Sequence, residues 1–252
     1  MIRPVAFKGT APPQMQATPA REGVMVTELP QGSEFFITEA LTQGSERLPT
    51  GGPFSYPKLV RLATLMDSSS LLHAIVNSTM VNYRQGILTD GKVVSQTEWI
   101  RVFRNTLATY LRKPHPKSGG KVTYYESLFT GKVDEVAAKI PEYKLEAMEK
   151  VLSPDAYIGV EFIHYISEFL DIDVYIIDLA IMDVFDYRVE DLSVYHKGRK
   201  SVVIGYINKH FESIAIEEQP KIYSMPFIPD NKLIIKLRGR LEQKQNEIEQ
   251  GQ

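Results

Sequence analysis

Residues 67–74 read DSSSLLHA. An aspartate, a serine three residues on and then an apolar run form the pattern of a hydroxyl nucleophile at the start of a helix. A helix N-terminus favours such chemistry, because its dipole and unpaired N–H groups hold the oxyanion of an acyl-transfer intermediate. Serine, however, needs a base to take its proton and a third group to orient that base. The five histidines are His73, His115, His164, His196 and His210. His115 falls in a Pro/Gly loop, His196 in a hairpin turn and His164 in the middle of a helical pattern, none with a carboxylate arranged to steer it. His210 differs. It opens the strand-like HFESIAIEE, and Glu212, two residues on, shares its side of a strand and is placed to fix the tautomer of the ring. Both features also have plainer readings. Ser and Asp are preferred N-caps, so DSSS is equally an ordinary helix start with Ser70 as cap, and His210 with Glu212 is equally a polar pair at a strand start.

The elements that must position these residues follow from periodicity. SSSLLHAIVNSTMVNYRQG carries Leu71, Leu72, Ile75, Val76 and Met80 at helical spacing. SQTEWIRVFRNTLATYLRK is a second helix, with Ser95 and Glu98 as a capping box and Trp99, Val102, Phe103, Leu107 and Tyr110 on one face. KPHPKSGGK breaks the chain, and residues 122–152 read as short helices with a joint at Pro141. AYIGVEFIHYISEFLD predicts a helix with Val160, Ile163, Ile166, Phe169 and Leu170 inward. IDVYIIDL is the clearest strand, followed by LSVYHKG, SVVIGYIN and the alternating HFESIAIEE. Helices first and antiparallel-looking strands after them predict an α+β domain, helices packed around a small, mostly antiparallel sheet.

The chain has 252 residues, room for one sizeable domain with extensions or two small ones, and its 43% apolar and 24% charged residues are ordinary for a soluble globular protein. A net charge of −2 argues against a nucleic-acid partner. No apolar run approaches the roughly 20 residues of a membrane span, and the first residues, MIRPVAFKGTAPPQ, carry no apolar signal core. The absence of cysteine removes disulfides, thiolate metal sites and a thiol nucleophile, and points to an intracellular, cytoplasmic protein. Residues 1–55 are rich in Pro, Gly, Thr and Gln and read as an extended arm for its own domain or for assembly partners. The globular domain is expected over 56–225, and a polar helix or tail over 226–252.

Three separated blocks resemble the OTU (ovarian tumour) family of deubiquitinating cysteine proteases. That family opens its core helix with Asp-Gly-x-Cys, an apolar pair, a variable residue and a small residue. Here the block is Asp67-Ser68-Ser69-Ser70-Leu71-Leu72-His73-Ala74. The middle block, an aromatic-Gly helix leading into an apolar strand, is similar to YIGVEFIHYISEFLDIDVYIID at 157–178, and the last block to HFESI at 210–214. The resemblance implies a papain-like OTU fold with Ser70 at the nucleophile position, His210 as general base and Glu212 orienting it. It also implies that Asp67 and its loop shape an oxyanion hole with the Ser70 N–H. The implied partner is ubiquitin or a ubiquitin-like protein, contacted in part by the 111–155 insert, with no metal or organic cofactor.

Two departures fall where they matter most: the family's cysteine is Ser70 and its glycine is Ser68. A thiol near pKa about 8.5 is readily ionised by a neighbouring histidine, whereas a serine hydroxyl is a far weaker acid. Natural degeneration accounts for both changes and for a chain without cysteine. A laboratory Cys→Ser change in an active isopeptidase accounts only for Ser70, and a true serine hydrolase remains the third option. The expectation is an OTU-like protein that binds ubiquitin without cleaving it. The alternative is a structural or assembly component on a degenerate OTU frame, and since OTU-like genes occur in large DNA viruses, such a component could be virion-associated.

Overall fold

The computed structural model describes residues 26–28, 35–37, 45–48, 53–54, 56–128, 143–185, 198–219 and 222–250. Among these, nine strands form one sheet: β1 (Val26–Glu28), β2 (Phe35–Ile37), β3 (Ser45–Arg47), β4 (Leu59–Leu62), β5 (Ile172–Asp178), β6 (Asp183–Val184), β7 (Lys200–Ile207), β8 (His210–Gln219) and β9 (Ile222–Ser224). Their order is β1-β2-β9-β8-β7-β5-β6, with β4 on β8 and β3 on β4. All these pairings are antiparallel except β5 with β7. The centre of the sheet is β8. Ile214 faces both Val203 of β7 and Arg61 of β4, so those two strands lie along opposite edges of it. The described strands of the segment 1–55 join this sheet, β2 on β9 and β3 on β4. β5 is buried along its whole length, as a β-branched run flanked by a parallel neighbour and covered on both faces must be.

Seven α-helices complete the described residues: α1 (Ser70–Thr79), α2 (Val81–Gln85), α3 (Gln96–Leu111), α4 (Tyr124–Ser127), α5 (Leu145–Val151), α6 (Ile163–Leu170) and α7 (Lys232–Gln250). Every residue from Ser70 to Ser78 is buried, so α1 is a core helix, not an amphipathic surface one. It joins α3 and α6 in one core with Leu72, Ile75, Trp99, Phe103, Ile163 and Ile166, set against Val174, Ile204 and Phe211 of the sheet. A second core holds Leu233, Ile234, Leu237 and Leu241 of α7 against Tyr175, Ile177, Val203 and Ile214. The molecule is therefore α+β, with helices packed on both faces of a mostly antiparallel sheet.

Several local details differ from the sequence reading. The Ser95 hydroxyl accepts from Glu98 N–H at 3.1 Å, but the Glu98 carboxylate turns to Arg101, so only half of that capping box forms. The reciprocal box is at Thr123 and Glu126, opening α4. The predicted helix over 156–171 is a 3₁₀ turn at Val160–Phe162 followed by α6, and Val160, Phe169 and Leu170 are only partly buried. The predicted strand LSVYHKG with His196, and the joint at Pro141, lie outside the described residues. No helix among the described residues is long and apolar enough to cross a membrane.

Candidate active site

The N-terminus of α1 is held by side chains on both sides of the loop before it. Asp67 Oδ1 accepts the Ser69 N–H at 2.7 Å, a local Asx turn that sets up the helix. The N-cap position belongs to Ser69, not Ser70, and no side chain caps the first turn. The Ser69 hydroxyl is engaged elsewhere: it accepts from Arg104 Nη1 at 2.6 Å. The same buried guanidinium donates to the carbonyls of Val151, Leu152 and Ala156, and Ile158 N–H donates to the Ser68 carbonyl at 3.0 Å. The segment 151–158 is thus laced to the loop that carries Ser68 and Ser69. Sequence reasoning gave no sign of Arg104, which lies on the inner side of α3 between apolar neighbours.

Opposite α1 stands the start of β8. The β7–β8 hairpin has a two-residue turn, Asn208 and Lys209, both at positive φ (49° and 65°), with Ile207 paired to His210. Positive φ at both turn residues is the hairpin geometry that matches strand twist. His210 is therefore the first residue of the strand. Its neighbour Phe211 donates its N–H to the Ser70 hydroxyl at 3.3 Å, which fixes Ser70 against the strand rather than against its own helix turn. Further along, the Ser213 hydroxyl donates to the Ala74 carbonyl at 2.9 Å and accepts from Asn77 at 3.0 Å, so α1 and β8 are joined by polar contacts. Ser70 is 1% exposed and His210 is also buried. At the rim, the half-exposed Tyr157 donates to the Lys209 carbonyl at 2.9 Å.

His210 Nε2 lies 3.4 Å from the Thr64 hydroxyl and 3.8 Å from Glu212 Oε1. The second distance is an electrostatic contact, longer than a hydrogen bond. The other carboxylate oxygen of Glu212 is 3.3 Å from the buried Arg61 Nε. Burial pushes the His210 ring below the ordinary histidine range; the Asp67 charge opposes this, while Arg61 and His73 add to it. The ring is therefore held neutral, the form that can take a proton.

Asp67 is the hub of a second network. Its Oδ2 accepts from His73 Nε2 at 3.0 Å, and the other ring nitrogen of the fully buried His73 is 2.6 Å from the Tyr83 hydroxyl. An ionised carboxylate only accepts, so Nε2 carries a proton and donates to Asp67. Burial tends to raise the Asp67 carboxyl, but the His73 hydrogen bond and charge, the Ser69 N–H and the Arg104 charge outweigh it and hold it below the usual range. Burial, then the Asp67 charge, pushes the Tyr83 hydroxyl well above the usual tyrosine range. The Ser70 N–H points at the Asp67 carbonyl at 3.4 Å, a long contact that a developing oxyanion could displace. His73 was absent from the sequence candidates; the only signal was its place one and a half turns after an aspartate at a helix start.

The other described histidines, His115 and His164, lie on different elements. His115 is buried with its ring 4.7 Å from that of Tyr124, and His164 is half-buried on α6. Among the described residues no group of three or more His, Asp or Glu side chains could hold a metal ion. What the arrangement offers is a hydroxyl at a helix N-terminus beside a strand that begins with a neutral histidine.

No protein-family model and no curated protein matches the chain. Among solved structures it is similar to an ovarian tumour (OTU) domain in complex with ubiquitin, at 15% identity and a TM-score of 0.43, over 77% of this chain and 88% of that one.

Proposed function

We propose that the protein is an OTU-like ubiquitin-binding protein, acting inside a cell, whose hydrolytic site lacks its thiol nucleophile. The reading rests on one observation above all: the Ser70 hydroxyl, at the first residue of α1, accepts the Phe211 N–H beside His210. Two blocks far apart in the chain, each suggestive of catalysis, meet at that contact. Ser70 stands in the nucleophile position, His210 in the base position and Asp67 at the loop before the helix. A serine hydroxyl is a far weaker acid than the thiol it replaces and gives little attack on an amide, and loss of one member of such a unit lowers rates by on the order of 10⁴ to 10⁶. Binding of ubiquitin or a ubiquitin-like protein needs only the surrounding surface, so it survives that loss.

The test is cleavage of a panel of diubiquitins by the protein and by its Ser70→Cys variant, with calorimetry of ubiquitin binding to both. The expected result is binding in the micromolar range by both and cleavage only by Ser70→Cys. Cleavage by the unaltered protein would replace this reading with a serine hydrolase. No cleavage by either together with no binding would overturn it in favour of a structural role for the fold.

A further inference from the structure

The ring of His210 has a hydrogen-bond partner that no motif announced. Thr64 lies between β4 and α1, buried, and its hydroxyl sits between two groups of β8: the Phe211 carbonyl at 2.5 Å and His210 Nε2 at 3.4 Å. A hydroxyl has one proton. A carbonyl can only accept, so that proton is committed to Phe211, and the face that Thr64 turns to His210 is a lone pair. A second polar atom near Nε2, Glu212 Oε1 at 3.8 Å, is an acceptor too. Both surroundings of Nε2 therefore demand a proton on it. In a neutral ring this leaves the lone pair on Nδ1, the only nitrogen then able to act as a base. Glu212 is too far to hold the ring by a hydrogen bond, and Arg61 anchors its other oxygen.

We propose that Thr64 is the positioning residue of His210, fixing the Nε2–H tautomer and the ring orientation while Glu212 supplies only a favourable field. The catalytic consequence rests on the functional reading above; the tautomer does not. The arrangement is self-consistent because one short hydrogen bond to the strand backbone fixes the rotation of the hydroxyl, so the acceptor it offers cannot turn into a donor. Thr64 thereby couples the loop before the nucleophile position to the strand that carries the base.

The ring is read directly by NMR of the histidine side-chain nitrogens at a pH where His210 is neutral, with His210→Gln assigning the signal. The unaltered protein is expected to show the Nε2–H tautomer alone, Thr64→Ser to retain it, and the isosteric Thr64→Val to populate Nδ1–H. An Nδ1–H ring in the unaltered protein, or a pure Nε2–H ring in folded Thr64→Val, would overturn the assignment, and the first of these needs no variant of Thr64 to fold. In the Ser70→Cys background, Thr64→Val is expected to lower kcat on diubiquitin by about 10²-fold with KM little changed, and Thr64→Ser to restore it. Equal kcat in both Thr64 variants and their parent would overturn the positioning role. A Ser70→Cys protein that neither binds nor cleaves ubiquitin sinks the functional reading instead, while the ring spectrum still decides on Thr64.

Discussion

His210 is surrounded by groups that pull its titration in opposite directions, and each has a measurable consequence. Burial, Arg61 and His73 lower its pKa and the Asp67 charge raises it, with burial prevailing. Its folded-state value thus lies below the ordinary value of about 6.5, so the unfolded chain binds this proton first as pH falls. The contribution of His210 to stability is intact above pH about 6.5 and declines as pH drops through that value towards the folded one. NMR titration is expected to find its midpoint below that of a free histidine. Asp67→Asn, which removes the opposing negative charge, is expected to lower it further; an unchanged or higher midpoint in that variant would show that Asp67 does not act on His210. If Ser70→Cys is active, the acid limb of its pH profile should follow the same shift.

At the scale of elements, the site is built where α1 meets the β7–β8 hairpin, and the hairpin carries backbone strain. Lys209 sits at φ 65°, a left-handed conformation that disfavours any residue with a Cβ by roughly 1–2 kcal/mol. Glycine is the preferred residue at that turn position, although it also loosens the unfolded chain. Lys209→Gly is therefore expected to stabilise the protein by about 1 kcal/mol, seen as a higher denaturant midpoint with an unchanged m-value. The contact between Tyr157 and the Lys209 carbonyl is made by the backbone and needs no Lys209 side chain. A fall in stability would mean that the lysine side chain outweighs the turn.

For the molecule as a whole, the last helix is structural. Its composition reads as a polar helix or tail, yet Leu233, Ile234, Leu237 and Leu241 fill the core on one face of the sheet. Arg240 donates twice to Asp183 of β6, at 2.8 Å each, and Lys244 donates to the Val184 carbonyl. Leu237 is fully buried, so Leu237→Ala is expected to cost about 2–4 kcal/mol by thermal or denaturant unfolding. It lies on the opposite side of the sheet from α1, so the ubiquitin binding expected under the proposed function should be the same in the folded variant as in the unaltered protein. A cost under about 0.5 kcal/mol, the level of a surface substitution, would place this helix outside the cooperative unit.

Much of this was legible in the residues themselves. Local rules act within a few positions. The run IDVYIID therefore marks a strand, Ser95 marks the start of α3, and the α+β class follows from where periodicity changes from helical to alternating, although four strands precede α1 where helices were expected first. The charged pattern of 232–250 left helix and tail both open, since a few apolar residues among many charges identify a buried face only once a sheet lies beneath it. The site was legible as types, Ser70, His210, Glu212 and Asp67, but not as contacts. An N-cap preference cannot distinguish Ser69 from Ser70. That neither hydroxyl caps the helix was decided by Arg104 engaging the Ser69 hydroxyl and by Phe211 N–H reaching the Ser70 hydroxyl. Likewise His73, Arg61 and Thr64 carry no motif, because their partners lie on other turns and strands. The sequence by itself determined which elements form and which side chains are chemically able. Only the tertiary structure decided which donor meets which acceptor, because a hydrogen bond is a short-range contact between groups that the chain alone leaves far apart.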